Sequence, residues 1–142
     1  MSLEAWATNG WLVRHAASTG EIRDLLSAAE ADLADAKKDL SPAWRFAIAY
    51  NAALRLCTAA LHAVGFRASR EQKHYRTIAS LPLVVGSETR ELADFLDQCR
   101  SKRHDVTYES LSAVSASEAE ELIGAVEELG NLVRRWLKER GT

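Results

Sequence analysis

Several things are scarce in this chain of 142 residues, and each scarcity excludes something. There are two cysteines, Cys57 and Cys99, and no CxxC pair. Two thiols cannot build a tetrahedral zinc centre alone, and both lie on apolar helical faces, so the sequence predicts buried free thiols. No apolar run approaches the ~20 residues of a membrane span, and no signal peptide is evident. A reducing cytoplasm is the expected compartment, with no membrane partner. The formal net charge is only −2, so no global basic field draws in nucleic acid, and any such contact must be a local patch. There is no Walker loop, GxGxxG, GxSxG or HExxH. The four histidines are far apart in sequence, and no acidic pair has metal-ligand spacing. No metal site and no cofactor are expected. Segments of alternating polarity that would pair as strands are also missing.

What is present is helical period. Hydrophobic residues make up 47% of the chain and charged residues 27%, which suits one globular domain with one core. Ser18 and Glu21 have the spacing of a capping box, in which serine accepts an early amide and glutamate reaches back to the cap. Ile22, Leu25, Leu26, Ala29, Leu33 and Ala36 follow at helical spacing, to about Lys38. Ser41-Pro42 opens a long alanine-rich helix, since proline fits the first turn. Gly65 is placed to end that helix in the left-handed conformation. His62 reads as a polar residue at its carbonyl end. Ser69 could cap a short helix from about 70 to 80, ended near Pro82, and Leu83–Val85 is too short to argue for a strand. Another helix starts near Glu88, with Leu92, Phe95, Leu96 and Cys99 on its buried face. The last helix follows a second S-x-x-E pattern at Ser117 and Glu120. Residues 1–17 read as a short helical extension, with Leu12 and Val13 in it, and residues 18–140 as one domain. The fold class is all-α, an antiparallel bundle of five to six helices without a sheet. Its core should include Leu26, Leu54, Cys57, Leu61, Phe95, Leu96, Ile123, Val126 and Val133.

Two clusters carry candidate chemistry. Arg100, Lys102, Arg103, His104, Asp105 and Tyr108 crowd the end of the helix that starts near 88. Guanidinium groups match phosphate bidentately and imidazole titrates near neutral pH. The alternative is a solvated helix end whose cations complement the carbonyl pole. Arg67, Arg70, Lys73, His74 and Arg76 surround Phe66 and Tyr75 in the second cluster. Interleaved cations and aromatics suit a nucleic-acid backbone, or an exposed interhelix turn.

The order of these features carries a resemblance. AYNAALRLCTAALHAVGFR is followed by KHYRTIASL, then by FLDQCRSKRHDVTYE, then by a terminal amphipathic helix. This arrangement resembles the HEPN superfamily of small helical bundles over roughly residues 20–138. It looks most like the stand-alone bacterial, SAV_6107-like branch. The resemblance implies an RNA-associated protein: a phosphate- or RNA-binding domain, or a degenerate metal-independent endoribonuclease. HEPN nucleases use an R-x(4–6)-H motif and act as dimers, so a homodimer is implied. The motif is degenerate here. Arg103 takes the arginine position, His104 the adjacent polar position, and Tyr108 stands where the histidine would be. A second frame, Arg100 to His104, is one residue short. Arg103, His104 and Tyr108 are thus the catalytic candidates. Arg100, Lys102, Arg67, Arg70, Lys73 and His74 are the RNA- or phosphate-binding candidates. The alternatives are a protein-interaction module, such as the partner of a minimal nucleotidyltransferase in a toxin–antitoxin pair, or a structural bundle without activity.

Overall fold

In the computed structural model, the described residues are 1–108 and 114–141, without the side chains of 105–108. Seven helices and a two-stranded ribbon occur among them, an all-α fold with one small sheet. Three long helices form its centre. α2 (Thr19–Ala36) and α3 (Pro42–Ala63) make a hairpin, and α7 (Ala116–Glu139) packs against both. Arg45 pairs with Glu120 at one end of α3, and the Arg140 guanidinium meets the Ala63 carbonyl at the other. α3 and α7 therefore run the same way. α2 opposes them, as the Lys37–Glu127 and Arg134–Glu30 pairs require.

α3 is the spine because its sequence makes it thin. Ala49, Ala52, Ala53, Ala59 and Ala60 are all buried, and their small side chains let neighbours approach closely. Leu56, Leu96, Leu122, Val126, Leu129 and Val133 fill the space between helices, each worth about 1.5–3 kcal/mol on full burial. Of the expected core, Cys57, Leu61, Leu96, Ile123, Val126 and Val133 are buried, whereas Leu26, Leu54 and Phe95 are only half-buried. Cys57 and Cys99 are free, and burial pushes both thiols up to about 12. Among the described residues, no helix is long and apolar enough to cross a membrane.

The helix ends follow local chemistry, with corrections. Ser18 caps α2 by accepting the Glu21 amide at 3.0 Å, and Ser41 caps α3 ahead of Pro42. Gly65 has φ +90°, as its place after α3 demands. Glu21, however, does not turn back to its own cap; its carboxylate lies 2.7 Å from His15 Nε2. The capping box of α7 is Ser115 with Glu118, not Ser117 with Glu120. The reason is the flanking hydrophobic staple. With Ser115 as cap, N′ is Val114 and N4 is Ala119, both buried. With Ser117, the same positions would be the exposed Ala116 and Glu121.

The N-terminal segment is α1 (Leu3–Thr8) and then a strand, β1 (Leu12–Arg14). β1 pairs antiparallel with β2 (Phe66–Ala68), Leu12 opposite Ala68 and Arg14 opposite Phe66. The expectation of no sheet, with Leu12 and Val13 helical, is thereby corrected. Ser69 does not cap a helix; its hydroxyl donates to the carbonyls of Gly10 and Trp11. Trp6, Leu12, Leu61, Phe66 and Ala68 form a second small core under the ribbon. Arg76 stacks over Trp11, with its guanidinium carbon 3.8 Å from the ring centroid. α4 (Lys73–Ala79) starts only after Gln72, and α5 (Leu81–Val84) continues from it. A 3-10 turn at Ser87–Thr89 leads into α6 (Arg90–Tyr108), somewhat later than the expected start near Glu88.

Candidate nucleic-acid interface

α4 and α6 lie side by side against α3, and a cleft of about 670 Å³ opens between them. Arg70, Gln72, Lys73, His74, Tyr75 and Arg100 line it. The two basic clusters thus meet in space, since Arg70, Lys73 and His74 come from one and Arg100 from the other. Arg100 is held in place by two neighbours. Its Nε donates to Asp97 Oδ1 at 2.8 Å, and its guanidinium carbon lies 5.5 Å from the Tyr75 ring centroid.

Tyr50 of α3 stands beneath this corner, only 1% exposed. The Arg103 guanidinium lies over its ring at 5.4 Å, and the His74 ring is 6.4 Å away, tilted by 50°. The Tyr50 hydroxyl is buried and has no hydrogen-bond partner among the described residues. Burial raises its pKa to about 12, against the pull of Arg100 and Arg103. The phenol is therefore neutral and can donate. His74 is pushed below the usual histidine range, first by desolvation and then by Arg103, Lys73 and Arg100. An imidazole surrounded by cations stays neutral at physiological pH and can accept a proton.

The other candidates stand elsewhere. Arg103 is half-buried on α6 and reaches the corner from below, through Tyr50. His104 is exposed on the same helix. Because α6 continues to Tyr108, His104 points about 100° away from Arg103. The Tyr108 side chain lies outside the described residues. Lys102 faces α7 instead, its Nζ 2.8 Å from Glu118 Oε2, and this hydrogen bond helps hold the Glu118 carboxyl down at about 2. Arg67 sits on the exposed side of β2, and its charge acts on His62. Tyr50 was legible in the sequence only as an apolar-face residue of α3. A phenol in the middle of an alanine-rich face is the one signal that could have marked it.

The last histidine pair is at the far end of α3. His15, Glu21 and His62 converge there, with the two imidazole centroids 4.4 Å apart. This group was not anticipated, because its members are separated in sequence.

A family model described as HEPN_SAV_6107-like HEPN matches residues 34–134. No curated protein and no solved structure matches the chain.

Proposed function

Since the chain belongs to the HEPN_SAV_6107-like HEPN family, we propose that the cleft between α4 and α6 binds the phosphodiester backbone of single-stranded RNA. The observation that supports this reading is the convergence of Arg70, Lys73, His74 and Arg100 on one open cleft. Arg100 and Arg70 offer planar forks to phosphate oxygens, and Lys73 a point charge. Tyr75, 39% exposed at the rim, offers a ring on which a base can stack. The chain acts as a homodimer, as the resemblance implies.

Strand cleavage by this cleft is metal-independent and slow. In it the ribose 2′-oxygen attacks the adjacent phosphorus, the bond to the 5′-oxygen breaks, and a 2′,3′-cyclic phosphate is left. His74 takes the 2′-hydroxyl proton, Arg100 and Lys73 balance the charge on the phosphorane, and water protonates the departing 5′-oxygen. His104 is ill-placed for that work because it is exposed on another face of α6. Arg103 contributes more than His104, through the field that keeps His74 neutral.

The test is anisotropy of a fluorescein-labelled single-stranded RNA over a salt series. With three cations engaged, log affinity should fall with log salt at a slope of about −2, and Arg100→Ala should flatten it by about 0.7. A slope near zero, or an unchanged slope in Arg100→Ala, would overturn the reading. Cleavage is followed in EDTA with His74→Gln and His104→Gln. Robust cleavage lost in His104→Gln but retained in His74→Gln would make His104 the catalytic group.

A further inference from the structure

We propose that His15, Glu21 and His62 form a binding site for a divalent transition metal, filled by Zn²⁺, that clamps the N-terminal ribbon to the helical body. Three separate elements bring the ligands together. His15 follows β1, Glu21 lies in the first turn of α2, and His62 lies in the last turn of α3. Each is fixed by its own backbone. The His15 amide donates to the Gly65 carbonyl at 2.9 Å, extending the ribbon. The Glu21 amide is held by Ser18 Oγ. The Gly65 amide donates to the His62 carbonyl at 3.0 Å, which closes the end of α3.

The distances suit a metal. Glu21 Oε1 is 2.7 Å from His15 Nε2 and 3.4 Å from His62 Nδ1, and the ligand atoms all lie within 4.8 Å of one another. Zinc bonds of 2.0–2.2 Å in a tetrahedron place neighbouring ligand atoms about 3.3 Å apart. The Glu21–His62 pair already has that spacing, and the Glu21–His15 pair needs to open by roughly half an ångström. His62 Nδ1 is buried and makes no hydrogen bond, with only the Glu21 carboxylate near it, so a metal between the two would satisfy both.

Two imidazoles and a carboxylate suit zinc better than the hard, all-oxygen sites of magnesium or calcium. Three protein ligands leave the fourth position to water. His15 and Glu21 also lie outside the residues that the family model matches, so the site does not follow from the family.

The experiment uses the full chain without a polyhistidine tag, stripped with EDTA and dialysed. Zn²⁺ is titrated by calorimetry, and Co²⁺ by visible absorption. The expected result is one equivalent per chain with a Kd of about 1 μM or tighter. Co²⁺ should give the intense visible bands of a tetrahedral site, and zinc should raise Tm. Glu21→Gln and His62→Ala should each weaken zinc by about 100-fold or more. His104→Ala, exposed and distant, should bind as wild type does. Because His62→Ala could perturb the end of α3, wild-type stoichiometry and the Co²⁺ spectrum stand as separate readouts. Wild type that takes up no zinc, or Glu21→Gln that binds as tightly as wild type, overturns the proposal.

Discussion

His62 and His74 are twelve positions apart in sequence, and burial pushes both imidazoles toward the neutral form. Their surroundings differ in one group. Glu21 lies beside His62 and partly offsets burial and the charges of His15, Lys73 and Arg67, whereas no carboxylate offsets Arg103, Lys73 and Arg100 at His74. A neutral imidazole beside a carboxylate is equipped for a cation. A neutral imidazole among guanidinium and ammonium groups is equipped for an anion. α3 connects the two corners, with Tyr50 under one and His62 in the other, about 18 Å apart by helical rise. One helix thus supports two sites of opposite preference, and the side chain nearest each imidazole decides which it is.

The strongest way to separate the corners is Leu61→Ala. Leu61 is 1% exposed and joins α3 to the ribbon core, so the truncation should cost about 2–5 kcal/mol in denaturant unfolding. Zinc affinity should fall while affinity for RNA persists in the fraction that remains folded. Equal loss of both would show that the corners are not independent. Gly65→Ala should come next, at about 1–3 kcal/mol, because φ +90° is strained for any residue with a Cβ. It acts on the His15–Gly65 link and should weaken zinc without touching RNA affinity. Lys73→Ala should leave stability nearly unchanged, lower RNA affinity by about 1 kcal/mol, and not weaken zinc binding, since it removes a cation that acts on His62.

Smaller effects sharpen the contrast. The Tyr50 hydroxyl is buried without a partner, so Tyr50→Phe should change stability by about 1 kcal/mol or less. A loss of RNA affinity in that stable variant would identify the phenol as a donor to bound phosphate. The pH response of His74 has a definite sign. Its folded pKa is lowered, so between that value and the unfolded value of about 6.5 the unfolded chain holds more protons. The stability linked to His74 is complete above about 6.5 and is lost as pH falls through the folded pKa. His74→Gln should therefore flatten the acid-side decline of Tm. Bound RNA should move the His74 titration upward in NMR, because an added anion offsets the neighbouring cations.

The long helices were legible because their period is long enough to count. Ile22, Ala29 and Ala36, the buried alanines of α3, and Ile123, Val126 and Val133 take the faces that their spacing predicts, with Leu26 at the half-buried margin. The ribbon was not legible. Strands of three residues are too short to show a period, and the core that Leu12, Phe66 and Ala68 share with Trp6 and Leu61 is assembled from separate stretches of sequence. The two S-x-x-E patterns before α7 are locally equivalent, and tertiary burial of Val114 chose between them. Of the candidate site, the sequence supplied the cations but not their grouping. Arg70, Lys73, His74 and Arg100 share a cleft, while Lys102 turned to Glu118 and Arg67 to the outer face of the ribbon. The His15–Glu21–His62 group left no sequence signal because no spacing rule links residues from a strand end and two different helices.

The ribbon also has a consequence for synthesis. α2 can pair with α3 as soon as a short turn separates them, but β1 must wait for β2, with 56 positions between Leu12 and Ala68. At ribosomal rates of about 5–20 residues per second, that wait is on the order of 3–11 s. Throughout it, Trp6, Trp11 and Leu12 have emerged without the surface that later covers them. β1 and the tryptophans beside it are thus made well before they find their place, and a chaperone that reads exposed tryptophan would meet them while β2 is still to come.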